Sequence, residues 1–236
     1  LHLAAHFPTT AVCRAVADST RKVCAGEIIQ TLRRRTASVT RADYQRVIDL
    51  KTAELFRVSC ALGSELARLP AGFVKGAASY GRHLGIAYQI YDDLADFFGH
   101  ERKIGKTLGT DLVSGKLTLP LLTLLERLPE TLGAQLLAEI KGEKSPQLPF
   151  WLKYMEELDV FGAVVAAIEA ELKIGEDALR PWTDLAPTEL LLQLGDVLRA
   201  QDGAWELWFG KKGQYFIDLV ALDDQGTVLA ASSEGG

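Results

Sequence analysis

The sequence predicts an all-α protein of long helices that ends in a short C-terminal β-meander. Apolar residues recur at helical spacing up to about Gln201, prolines and polar clusters divide that stretch into segments, and beyond it the pattern changes to short alternating runs between Gly-rich turns. Two units follow: a helical body over residues 1–201 and a β extension over residues 202–236.

In chain order, Thr40 followed by Asp43 has the spacing of a capping box and opens a helix whose apolar stripe is Tyr44, Ile48, Leu55, Ser59, Leu62 and Leu66. Pro70 precedes the next helix, with a stripe of Phe73, Ala77, Tyr80 or Gly81, Leu84, Tyr88, Tyr91 and Ala95. Pro129, Pro146, Pro149, Pro181 and Pro187 punctuate the rest, and residues 142–149 read as a polar loop. In the tail, Trp205, Leu207 and Phe209 alternate before the turn Gly210-Lys211-Lys212-Gly213. A run over residues 214–222 follows, and Asp223-Asp224-Gln225-Gly226 turns the chain into residues 227–231. Three short strands do not stand alone, so the meander is expected to pack on the helical body or on another chain.

The 236 residues carry 26 Lys+Arg against 31 Asp+Glu, a net charge of −5, and are 48% hydrophobic. A chain of this size buries a full core without metals or disulfides. The acidic balance argues against a nucleic-acid-binding face, and Arg33-Arg34-Arg35 reads as a solvated helix end. Cys13, Cys24 and Cys60 are odd in number and lack ligand spacing, which makes them small reduced core residues; the four histidines form no His-Glu-x-x-His pair, so no zinc site is expected. No uncharged stretch approaches the ~20 residues that span a bilayer. The first residues show no secretion signal, and a cytoplasmic location is the expectation.

The informative stretch is Gly85-Ile86-Ala87-Tyr88-Gln89-Ile90-Tyr91-Asp92-Asp93-Leu94-Ala95-Asp96. On a helix, Asp92, Asp93 and Asp96 all lie within about 60° of Gln89, so one face carries three carboxylates and an amide. Like charges at i and i+4 cost a few tenths of a kcal/mol. Something cationic should offset this, and hard oxygen ligands suit Mg²⁺, which is typically held by one or two carboxylates together with substrate phosphates. A solvated acidic face is the alternative reading of the string alone. Apolar residues precede it, however, which sets the charge at a core edge. Downstream runs Lys103-Ile104-Gly105-Lys106-Thr107-Leu108-Gly109-Thr110-Asp111, then Gly115-Lys116-Leu117-Thr118-Leu119-Pro120. Lysines among glycines offer ammonium groups beside exposed backbone N–H groups, an arrangement suited to a highly charged anion. The pattern matches no Walker loop and points to a metal-bridged diphosphate.

Residues 85–96 with 105–120 resemble the second aspartate-rich region of the trans-isoprenyl diphosphate synthases, the polyprenyl synthetases. Upstream, Gly26-Glu27-Ile28-Ile29-Gln30 and Lys51-Thr52-Ala53 are similar to two further signatures of that family in the expected order. The resemblance extends to about residue 201. It implies an antiparallel bundle of long helices of isoprenoid-synthase type around a central cavity, generally dimeric, a homodimer with a heterodimer as the other option. The implied reaction is ionisation of an allylic diphosphate and its condensation with isopentenyl diphosphate, with Mg²⁺ as cofactor. It further implies that Asp92 is the main metal carboxylate, with Asp93 and Asp96 supporting. Lys51, Lys106 and Lys116 would bind the allylic diphosphate, Thr52 and Gln89 would lie near the developing cation, and Gln30 would face the same cavity. Glu27 would stand behind them. Tyr88, with Tyr91 and Phe56, is a candidate aromatic wall, with plain core packing as the alternative for each.

One departure stands out. The family's first aspartate-rich region and its N-terminal basic motif are not found in the sequence. The expectation is a piece, or the ordered part, of a longer synthase. The alternatives are a naturally shortened subunit that lends a partial site to a partner or regulates it, and a homologue that binds diphosphates without turnover.

Overall fold

Thr40 and Asp43 form the reciprocal cap that their spacing predicts. The Asp43 N–H donates to Thr40 Oγ1 at 3.2 Å and the Thr40 N–H to Asp43 Oδ2 at 3.1 Å. The computed structural model describes residues 2–98 and 108–199, and every regular element among the described residues is helical. The expected β extension at 202–236 lies outside the described residues.

Helix α1 spans Thr10–Leu32. Helix α2 (Arg41–Ile48) continues without a break through a π-helical turn, Asp49–Ala53, into α3 (Glu54–Leu66). That turn corrects the expected stripe. A π turn holds more residues than an α turn, so every side chain after it is rotated relative to an unbroken helix. Tyr44 and Ile48 are buried as the spacing predicts. Beyond the turn the inward residues are Ala53, Val58 and Ser64, while Leu55 and Leu66 are 50% and 48% exposed.

Helix α4 (Ala71–Phe98) is the axis of the fold, packed against α3 on one side and a later helix, α9 (Val160–Leu179), on another. Phe73, Ala77, Tyr80 and Leu84 are buried as predicted, but Ile86, Ala87, Ile90 and Phe97 are buried too, whereas Tyr88 and Tyr91 are only half-buried. A helix covered on several sides has no single stripe, which is why its C-terminal half departs from one. Joined by only residues 67–70, α3 and α4 lie side by side and run antiparallel.

The remainder comprises α5 (Thr110–Ser114), α6 (Leu119–Arg127), α7 (Glu130–Ile140), α8 (Leu148–Glu157) and α10 (Ala186–Arg199), with a 3₁₀ turn at Arg180–Trp182 after α9. Pro129 caps α7, and Pro149 and Pro187 sit in the first turns of α8 and α10, where a missing N–H costs nothing. The polar loop expected at 142–149 ends sooner, because α8 begins at Leu148. Glu139 Oε2 ties α7 to α8 by accepting from the Trp151 indole at 2.6 Å and the Gln147 N–H at 2.9 Å. The core expectation for the cysteines fails at Cys24, which lies on the exposed side of α1; Cys13 and Cys60 are half-buried. No described helix is long and apolar enough to cross a membrane.

Candidate active site

The π turn is what delivers Lys51 and Thr52. It is clamped from two sides at glycines: a Cβ on Gly26 of α1 would lie 2.7 Å from the Lys51 backbone nitrogen, and one on Gly85 of α4 would lie 2.7 Å from Ala53 Cα. Arg82 of α4 pins the start of the turn by donating from Nε to Asp49 Oδ1 at 2.6 Å.

A pocket opens between α1, the α2–α3 helix, α4 and the segment before α6. Five residues singled out from the sequence line it: Gln30, Lys51, Thr52, Gln89 and Lys116. So do Arg33, Arg34, Asp43 and Tyr44, to which the sequence reading gave no site role. Lys51 Nζ donates to Gln30 Oε1 at 2.6 Å and pairs with Glu27 Oε2 at 2.6 Å, so its ammonium is aimed from the π turn back toward α1. Thr52 Oγ1 donates to Gln89 Oε1 at 2.6 Å, and Gln89 Nε2 donates to Asp93 Oδ1 at 3.1 Å. The Gln89 amide therefore has its orientation fixed from both ends.

The three aspartates have three different surroundings. Asp93 is 1% exposed and accepts from Lys116 Nζ at 2.8 Å and from the Tyr44 hydroxyl at 2.7 Å. Asp96 reaches forward to the start of α5, accepting from the Thr110 N–H at 3.2 Å and hydroxyl at 2.6 Å and from the Asp111 N–H at 2.9 Å. It acts as the cap of that short helix. Asp92 is half-buried beside Gln89, whose Nε2 donates to its Oδ2 at 3.5 Å.

Lys116 serves two carboxylates, Asp93 and, at 3.4 Å, Asp111. Burial alone would lower its pKa, but the charges of Asp93 and Asp111 outweigh that and raise it. One ammonium cannot satisfy both partners. Burial pushes Asp93 up against the pull of Lys116, and burial together with the Asp93 charge lifts Asp111 to about 7. At the end of α4 two buried carboxylates therefore share one ammonium.

Among the described residues no group of three or more His, Cys, Asp or Glu side chains converges in a metal-holding arrangement. Asp93 is engaged with Lys116 and Tyr44, and Asp96 with the α5 cap. This arrangement does not make a metal cage from protein alone, and suits an ion such as Mg²⁺ that arrives with substrate phosphates. Tyr88 does not line the pocket; its ring packs on Phe56 with centroids 5.5 Å apart, against the core. Lys106 lies outside the described residues. Tyr44 and Asp111 are the partners that sequence reasoning missed: Tyr44 looked like stripe, and only contact with Asp93 gives it a polar role.

The sequence profile of the family described as polyprenyl synthetase matches residues 1–149. Octaprenyl diphosphate synthase of Escherichia coli (strain K12) is 37% identical over 111 residues, which are 47% of this chain and 34% of that protein. Heptaprenyl diphosphate synthase component 2 of Geobacillus stearothermophilus is 37% identical over 141 residues, 56% of this chain and 44% of the relative. Polyprenyl synthase from Caulobacter crescentus CB15, solved in complex with calcium and isoprenyl diphosphate, shares the fold with a TM-score of 0.73 at 25% identity, covering 79% of this chain and 57% of that one. Helical architecture and pocket together define a synthase-type fold. The chain belongs to the polyprenyl synthetase family, and it spans less than half of the two curated relatives just described.

Proposed function

We propose that this chain carries the allylic-diphosphate part of a trans-prenyltransferase site, which joins an allylic diphosphate to isopentenyl diphosphate in isoprenoid biosynthesis. The supporting observation is the convergence of Gln30, Lys51, Thr52, Gln89 and Lys116 on one pocket beside the Asp92 carboxylate. In the reaction the allylic C–O bond breaks and its electron pair leaves with the diphosphate. The double bond of isopentenyl diphosphate then attacks the allylic carbon, and a proton is lost to form the new alkene.

Lys51 and Lys116 present fixed positive charge to the diphosphate oxygens, where charge grows as the bond breaks; the family resemblance adds Lys106 as a further cation. Thr52 and Gln89 offer oxygen dipoles toward the carbon that turns electron-deficient, and the Thr52–Gln89–Asp93 relay keeps the amide from rotating away. Val47, Ile48 and Leu117 in the same wall keep that carbon away from water. Asp92 would hold Mg²⁺, with Asp93 and Asp96 supporting from behind. The bound ion would neutralise diphosphate charge during departure. For the Caulobacter protein the solved complex contains calcium with isoprenyl diphosphate, in keeping with this reading.

A second chain completes the proposal, either another copy or a distinct subunit, as the name "component 2" says of the Geobacillus relative. The test is diphosphate release from the two substrates with Mg²⁺, by the protein alone and mixed with a partner chain. Turnover that falls by about 10²-fold in Asp92→Ala is expected, from loss of a group acting on transition-state charge. No release by the full gene product in either format, or full activity in Asp92→Ala, overturns the reading.

A further inference from the structure

Three consecutive arginines close α1, and the structure gives each a different position. Arg33 pairs with Asp43, the same carboxylate that completes the α2 capping box, and so clasps the end of α1 to the start of α2. Arg35 has a left-handed backbone, φ 60°, donates its N–H to the Gly115 carbonyl at 2.8 Å and lays its stem over Gly115. Arg34, between them, lines the pocket and is exposed. Among the described residues its guanidinium makes no hydrogen bond and no ion pair.

The other cations in the pocket wall are already matched by carboxylates: Lys51 by Glu27, Lys116 by Asp93 and Asp111, Arg33 by Asp43. Arg34 and Lys51 line the same pocket, and both charges act on Glu27, whose carboxyl is held below its ordinary value by the Lys51 hydrogen bond first and by Arg34 last. Two cations lining one pocket, one of them without an ion pair among the described residues, make a receptor for a ligand with more negative charge than one carboxylate. A planar guanidinium also donates two parallel hydrogen bonds to phosphate oxygens, which an ammonium does not.

We propose that Arg34 is a substrate-binding residue that grips the terminal phosphate of the allylic diphosphate from the α1 side of the pocket, while Arg33 and Arg35 only hold the α1 end in place. This rests on the proposed diphosphate reading of the pocket. It assigns the allylic ligand because Arg34 shares a wall with Lys51 and Lys116.

Binding of inorganic diphosphate, an allylic diphosphate and isopentenyl diphosphate is measured by calorimetry on the full chain and on Arg34→Gln, Arg34→Lys, Arg33→Gln and Lys51→Gln. Arg34→Gln is expected to weaken inorganic and allylic diphosphate about tenfold and to lessen the salt sensitivity of binding, with an unchanged melting curve. Arg34→Lys should recover only part of the affinity. Undiminished affinity in Arg34→Gln, together with loss in Lys51→Gln, overturns the role of Arg34 and leaves the pocket reading standing. A loss confined to isopentenyl diphosphate, or a larger loss in Arg33→Gln than in Arg34→Gln, also overturns it. Absence of diphosphate binding by the unmodified chain overturns both.

Discussion

Two carboxylates are buried to nearly the same degree in this protein, Glu54 at 6% exposure and Asp93 at 1%, yet their surroundings push them in opposite directions. Burial would raise Glu54, but hydrogen bonds from Arg57, Lys22 and Ser19 outweigh it and bring the group to about 2. The donor distances are 2.6 to 2.9 Å. Asp93 has one cation, Lys116, shared with Asp111, and burial wins. The first arrangement, between α1 and α3, has more cations than anions and needs nothing from outside. The second, at the pocket, has more anions than cations. A buried carboxylate with too few cations is a common feature of ligand-binding sites, which accords with the reading proposed for the pocket, whereas the Glu54 cluster ties α1 to α3.

Removing the cation at the pocket should have the largest effect. Lys116→Met strands Asp93 and Asp111 without their shared partner and is expected to lower stability by about 3–5 kcal/mol, read from urea unfolding at neutral pH. A smaller loss with full retention of diphosphate binding would erase the distinction drawn between the two clusters. Glu54→Ala should cost less, about 1–3 kcal/mol, because the Lys22 and Arg57 left behind are about a third exposed and regain water.

The same contrast predicts a pH window. Glu54 is held below its ordinary value of 4.5, so the stability it contributes is present above that value and is lost as pH falls toward about 2. Acid titration of thermal stability should be shallower in Glu54→Gln than in the unmodified protein across that interval. Equal slopes would remove the Glu54 cluster as a stabilising element. Least affected should be the exposed Lys153–Glu157 pair on α8, 3.6 Å apart, where Lys153→Ala should change stability by less than about 0.5 kcal/mol.

Much of the site was legible before any coordinates. Gln30, Lys51, Thr52, Gln89 and Lys116 were all named from short motifs, and all five line one pocket. Helix starts at Thr40 and after Pro70 were equally legible, because a cap or a proline acts within a few residues and its consequence is local. What resisted reading depended on partners distant in sequence. The π turn at Asp49–Ala53 has no residue signature of its own; it becomes evident from Gly26 and Gly85, which are distant in sequence and let α1 and α4 close on it. Leu55 and Leu66 were placed on the wrong face for that one reason. Tyr88, a candidate for an aromatic wall with core packing as its alternative, is not among the pocket-lining residues and packs on Phe56.

By itself, the sequence determined the helical class, the family and most of the polar groups that line one pocket, since periodicity, caps and motif residues are properties of neighbours along the chain. The tertiary structure alone decided how the aspartates divide their work, Asp93 with Lys116, Asp96 with the α5 cap and Asp92 beside the pocket, and which of three adjacent arginines lines the pocket without an ion pair among the described residues. The reason is physical: a charged group's role is fixed by what lies within a few ångströms of it and by how much water it has lost, and both are settled when helices from different parts of the chain pack together.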